Sequence, residues 1–181
     1  MKFTSVLFTL SLALSTTATA TPALKKRDIP GVLSSLTEVD QAVQTLYSDE
    51  ILYNGGSTDQ IEADVSNLIA SITAAIAEVT GTPGPWDLND SIDVAEAAES
   101  IISDTSDAIS QIDSISTLLP AASVTVVITD LSSIYSAAST LAGLLSASAT
   151  PALSTLASSL STSILDAIET GLVYYGQTVP P

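Results

Sequence analysis

From Asp28 to Pro181 the chain runs for 154 residues with 20 Asp and Glu and without one Lys, Arg, His or Cys. No fold of this segment can rest on salt bridges between side chains, on disulfides or on a zinc centre, so burial of apolar surface has to hold it. The same depletion removes whole classes of function. A Ser-His-Asp triad, a Cys nucleophile, a lysine Schiff base and a P-loop all need residues that are missing. Phosphate backbones need cations, which excludes nucleic acid as a partner.

The four basic residues, Lys2, Lys25, Lys26 and Arg27, all lie at the start. Residues 1–20 have the plan of a secretory signal: Lys2, an apolar run from Val6 to Leu14 too short to span a bilayer, and small residues ending at Ala20. Residues 21–27 form a pro-segment closed by the doublet at Lys26 and Arg27, the type of site cut by kexin-like proteases. The expected mature domain is 28–181. Its closing stretch, Val173 to Pro181, lacks an apolar anchoring tail, so the expected product is secreted, into the medium or the cell wall, with no transmembrane segment.

Within 28–181 apolar residues recur at helical spacing. The stripe Ile29, Val32, Leu33, Leu36, Val39, Val43, Leu46, Ile51 predicts a first helix to Tyr53, stopped by Asn54, Gly55 and Gly56. Ser57 and Gln60 have the spacing of a capping box for a second helix through Ile61, Val65, Leu68, Ile72, Ile76 and Val79. Gly81, Pro83, Gly84 and Pro85 break it. A third helix begins near Asp87 or Asp90 and runs through Ile92, Ile101, Ile109 and Ile112 to Pro120. A fourth follows Val124, Ile128, Leu131, Tyr135 and Leu141, and a fifth starts at Thr150 and Pro151 and follows Leu156, Leu160, Ile164 and Ile168. The β-branched run Val124 to Thr129 sits inside a helical stripe and is no strand. The fold class is therefore all-α: a single bundle of about five amphipathic helices without disulfides.

Charge is unevenly spread. Residues 28–113 hold 17 acids, and residues 114–181 hold only Asp130, Asp166 and Glu169. The last two helices meet water with Ser, Thr and Ala. Such a face either carries sugar or adsorbs to apolar surfaces, because desolvating a hydroxyl costs far less than desolvating a charge.

A secretory signal, a dibasic pro-segment and cysteine-free helices with Ser/Ala/Thr-rich faces resemble the fungal hydrophobic surface-binding protein A family, which includes cell-wall galactomannoproteins. The likeness spans roughly Ile29 to Tyr175. It is best in Ile51, Leu52, Tyr53, Asn54, Gly55, Gly56 and in the stretch from Leu160 to Ile168. The resemblance implies adsorption to hydrophobic solids, in some members recruitment of a secreted polymer-degrading esterase, and in others capture of fatty acids within the bundle. Members often carry lysines in the mature domain. This chain has none, which removes an ionic grip on a lipid carboxylate.

Asp104, Thr105 and Ser106 have the order of an aspartic-protease turn, but they fall inside a helical stripe and have no second copy. Asp93 with Glu96 or Glu99 pairs carboxylates as a glycosidase would, yet such pairs equally make a solvated acidic face. No loop has EF-hand spacing, so no metal site is expected. Trp86 is expected as a plug packing its loop on the bundle end, and Asn89, Asp90 and Ser91 match a glycosylation acceptor. The stripes themselves offer the remaining site. Small residues such as Ala74, Ala75, Ala108, Ala138 and Ala157 beside Ile72, Ile76, Ile109, Ile112, Ile128, Leu131, Tyr135, Leu156, Leu160 and Ile164 predict a tunnel for a long-chain lipid. Tyr135 or Gln111 would meet its head group.

The expected function is thus non-enzymatic binding of apolar surfaces or long-chain lipids, without catalytic residue or cofactor. A structural or antigenic wall mannoprotein without a specific ligand is the alternative. The sequence leaves the oligomeric state open.

Overall fold

A computed structural model of the protein describes residues 28–177. The expected signal, the pro-segment and the processing residues Ala20, Lys26 and Arg27 lie outside these residues. Five helices account for most of the described chain: α1 Ile29–Leu52, α2 Asp59–Gly81, α3 Leu88–Ser114, α4 Ala121–Ser148 and α5 Ser154–Tyr174. Short 3-10 turns, Ser116–Leu118 and Pro151–Leu153, precede α4 and α5. No strand occurs among the described residues.

Local chemistry sets the helix starts. The Asp28 carboxylate accepts from the Gly31 N–H at 3.2 Å, and Asp87 does the same for Asp90 at 2.9 Å, each filling an open donor of a first turn. The capping box expected at Ser57 and Gln60 is displaced. Thr58 occupies the cap position, its hydroxyl donating to Glu62 at 2.6 Å, and the Gln60 amide donates to Asp64 at 3.1 Å. A box joins the cap residue to the third helical residue, and here that residue is Ile61, which has no polar side chain.

Packing gives the bundle a particular topology. α1 packs on α2 and α3, α3 on α5, α5 on α4, and α4 back on α2. The five helices therefore close a ring, and every helix turns one face to a common axis. Short connections alternate their direction, so one end gathers the C-termini of α1, α3 and α5 with the N-termini of α2 and α4. This is the upper end below. At the lower end the α2–α3 connection is buried through Trp86, which retains 2% of its surface exposed.

Two stripes differ from their expected register. In α1 the inward row is Leu36, Val39, Val43, Leu46, Glu50, and Ile51 is 53% exposed. In α3 the row begins with Ser91 and Val94 while Ile92 faces outward. Both follow from helical spacing, because a step of four from Leu46 reaches Glu50 and a step of five overshoots the face.

α5 closes the ring unequally. Near its C-terminus Ile168, Gly171 and Leu172 are buried. A Cβ at Gly171 would lie 3.1 Å from Ile109 Cγ2, so the glycine lets α5 sit tightly on α3 there. From Ser154 to Ala167 no residue is buried. α4 is apolar and long enough by composition to cross a bilayer, and the ring accounts for its inner face, where Val127, Leu131, Ile134, Ala138 and Leu141 are buried.

Candidate functional site

The axis of the ring is not filled. A cavity runs along it, walled by all five helices from Glu50 and Ile61 at the upper end to Trp86 and Ala149 at the lower. Its volume is about 110 Å³, whereas one water needs about 10–15 Å³, so the void is far larger than a packing defect. Along α1 the lining from Leu36 to Glu50 spans about 21 Å at the rise of an α-helix. That is the scale of an extended long-chain acyl group.

Its wall is apolar apart from Glu50, Ser91, Thr105, Asp130 and Ser161. Two of the hydroxyls are engaged. Ser91 Oγ accepts from the Thr150 N–H at 3.0 Å, and Ser161 Oγ donates to the Ala157 carbonyl at 2.8 Å. Apolar walls of this kind stay dry and favour hydrocarbon. The mouth follows from the loose half of α5: the lining residues Ala157, Leu160, Ser161 and Ile164 are half-exposed, as are Ala95, Ala98 and Ile102 on α3 and Leu145 on α4.

Carboxylates gather at the upper end. Glu50 keeps 2% and Asp64 3% of its surface exposed, and Glu50 Oε2, Asp64 Oδ2 and Asp113 Oδ1 are buried without hydrogen-bond partners. Burial pushes Glu50 up to about 9, with the charges of Asp113 and Asp64 adding to it. Burial raises Asp113 to about 6. Asp64 is raised by burial and then by Asp49, against the Gln60 hydrogen bond. Asp130, on the α4 wall, is raised by burial and then by Glu62. With no basic side chain among the described residues, protonation is the available relief for these groups. No three acids, Cys or His among the described residues converge to hold a metal ion.

Of the residues expected to form the tunnel, Ile72, Ile109, Ile112, Leu131, Leu160 and Ile164 line the cavity. Ile76, Ile128 and Tyr135 lie half-buried on the flanks of α2 and α4, and Leu156 is 39% exposed on α5. An amphipathic stripe is wider than one line of residues, and its flanks pack helix against helix. Among the small residues Ala108, Ala138 and Ala157 are in the wall, joined by Ala95, Ala98 and Ala142. Ala75 is buried off the cavity and Ala74 faces outward. The proposed head-group donors, Tyr135 and Gln111, do not line it; the Gln111 amide reaches the Glu50 carbonyl at 3.5 Å. Asp104 belongs to an outer seam of α1 and α3, where the Gln44 amide donates to it at 2.7 Å.

Sequence reasoning missed Glu50, Asp64 and Asp130 as inward groups. The signal was present, since all three fall at i+3 or i+4 from buried apolar residues. Trp86 is the expected plug, and it is also the floor of the cavity: its indole N–H donates to the Thr82 carbonyl at 2.9 Å.

The model of the family described as hydrophobic surface binding protein A matches residues 29–147. The chain belongs to this family. Cell wall mannoprotein 1 of Aspergillus fumigatus is 29% identical over 178 residues, covering 97% of this chain. The chain spans 60% of the length of that relative. Among solved structures, ligand binding domain 1 of the Penicillium marneffei MP1 protein, complexed with arachidonic acids, has a TM-score of 0.78 at 19% identity, covering 82% of this chain and 99% of that one. Domain 2 of the same protein, complexed with multiple arachidonic acids, gives 0.79 at 22%, covering 84% and 99%. AFMP4P in complex with palmitic acid gives 0.76 at 22%, covering 82% and 99%. At such identities the likeness establishes the all-α fold.

Proposed function

We propose that the protein is a secreted or wall-held, non-enzymatic binder that takes one long-chain lipid into the axial cavity and adsorbs to hydrophobic surfaces. The observation that carries the reading is the cavity itself: long, narrow, apolar and walled by every helix. Each methylene buried there contributes about 0.8 kcal/mol, so a tail alone supplies useful affinity. The fatty acids held by the neighbouring folds from MP1 and AFMP4P support this ligand class, and the wall mannoprotein relative supports an extracellular setting. The wall offers no paired nucleophile and base, which favours binding over catalysis.

Adsorption is supported by a second feature. Ile51 and Leu52 at the end of α1, Val173 and Tyr174 at the end of α5, and Leu118 in the 3-10 turn after α3 are all exposed at the upper end of the bundle. Removing them from water against a solid is favourable. Under the same reading, a protein held on a polymer could bring a secreted esterase to it.

The test is displacement of an uncharged fluorescent lipid from the delipidated secreted protein by long-chain alcohol or ester, beside native mass spectrometry for co-purified lipid. Saturable displacement with one lipid per chain is expected. Ala138→Leu, which places bulk in the wall, should weaken binding about tenfold or more, and more for long chains than for short ones. Absence of displacement, or equal binding by this variant, would overturn the reading.

A further inference from the structure

Glu50 is placed where a structural role leaves it unexplained. It continues the inward row of α1, lines the upper end of the cavity, and has its Oε2 buried without a partner. The groups facing it are Asp64 from α2, Asp113 from α3 and Tyr175 from α5, with Asp49 beside it in sequence. The Gln111 amide is directed at the Glu50 main-chain carbonyl. Residues 28–181 contain no basic side chain, so none of them can supply a counter-charge. A buried carboxyl in this condition is destabilising, and apolar packing would serve the bundle better. The cavity reaches Glu50, so a ligand can supply what the chain lacks.

We propose that the upper end of the cavity is a head-group site in which Glu50 pairs with the ammonium of a long-chain primary amine, whose hydrocarbon lies along the axis toward Trp86. The inference rests on the lipid-binding reading of the cavity and names its head-group chemistry. A fatty carboxylate at this end would add an anion to Glu50, Asp64 and Asp113. An alcohol would satisfy one hydrogen bond without relieving their field. An ammonium donates up to three hydrogen bonds and carries the missing charge. Protonation also fits: Glu50 is pushed up to about 9 and an alkyl ammonium titrates near the lysine value of about 10.4. The carboxyl can pass its proton to a neutral amine as the pair forms, leaving carboxylate and ammonium in contact, with atoms and charge conserved.

The experiment compares hexadecylamine, hexadecanol, palmitate and hexadecyltrimethylammonium as competitors of an uncharged fluorescent lipid, at about 0.15 M and about 1 M salt. Hydrogen bonds to charged groups contribute about 1.5–3 kcal/mol, or roughly tenfold or more. The amine should therefore displace the probe at least about tenfold more effectively than the alcohol at both salts. Glu50→Gln should bring the amine to the level of the alcohol on the same variant. The trimethylammonium compound has the charge without N–H donors and should fall about tenfold or more below the primary amine on the wild type. This arm does not depend on a variant folding. An amine advantage that disappears at high salt, persists in Glu50→Gln or is shared by the trimethylammonium compound would assign it to the acidic exterior and overturn the proposal. Failure of the alcohol itself to displace the probe would instead overturn the lipid-binding reading.

Discussion

Trp86 and Ser148 tie the lower end of the ring together: the Trp86 N–H donates to the Ser148 carbonyl at 2.8 Å, joining the α2–α3 connection to the end of α4. Gly84 makes this approach possible, because a Cβ there would overlap the Ser148 backbone. Trp86→Ala removes the floor of the cavity and should destabilise by about 3–5 kcal/mol. Gly84→Ala forces the two segments apart and should cost about 1–3 kcal/mol. Denaturant titration measures both. A Gly84→Ala protein as stable as the wild type would show that the contact is not needed.

Stability should fall as pH rises. Asp113 and Glu50 have folded values of about 6 and about 9, and Asp40, Asp64 and Asp130 are also raised. A group raised on folding binds its proton more tightly in the native state. Its contribution is complete below its unfolded value, near 4 for carboxyls, and is lost as pH climbs through the folded value. Asp113 then weakens the fold between about pH 4 and 6, and Glu50 up to about pH 9. Glu50→Gln should match the wild type near pH 4 and become steadily more stable than it as pH rises toward about 9. Midpoints that increase from pH 4 to pH 8 would show the wrong sign.

The helices were legible because the chain has one means of cohesion. Without ion pairs or disulfides, each element has to present an apolar row, and Val32, Leu36, Val39 and Val43 announce α1 as clearly as Gly81 to Pro85 announce its neighbour's end. The ring order was not legible. Nothing local in α2 or α4 says that they touch, and that contact is what surrounds the axis instead of filling it. The acids misled for a related reason. A carboxylate is normally solvated, so Glu50 and Asp64 do not announce themselves as inward groups although their spacing places them inside. Ile76 and Leu156 erred the other way, being apolar residues on the flank of a stripe.

The first half of α5 should open before the rest of the bundle. It buries nothing from Ser154 to Ala167, whereas Ile168 and Leu172 are each 1% exposed. Low burial implies a low local opening energy. Native-state hydrogen exchange should be faster over 154–167 than over 168–174, and a bound lipid should slow it selectively. Uniform exchange along α5 would place the mouth elsewhere.

Processing at the doublet should give a secreted protein beginning at Asp28. Cleavage there leaves an N-terminal ammonium on the residue whose carboxylate caps α1. N-terminal sequencing of secreted material checks this, and a start at Thr21 would refute it.

Fatty-acid binding should strengthen on acidification. At pH 7 an ionised head group approaches a domain with 20 acids and no basic side chain. Repulsion between exposed charges is screened beyond about 8 Å at physiological salt, but a carboxylate beside Asp130 on the cavity wall lies within that distance of it. Lowering the pH to 5 protonates Asp113 and part of the bound lipid, while the buried tail contributes the same at either pH. Palmitate affinity should therefore rise from pH 7 to pH 5, and the affinity of hexadecanol, which has no charge to lose, should change little. Adsorption to an uncharged apolar polymer should survive high salt for the same reason, since it depends on burial. Displacement titrations across pH, with the alcohol as internal control, measure the difference. Palmitate binding that weakens toward pH 5 would require a cationic site, and residues 28–181 have no side chain to build one.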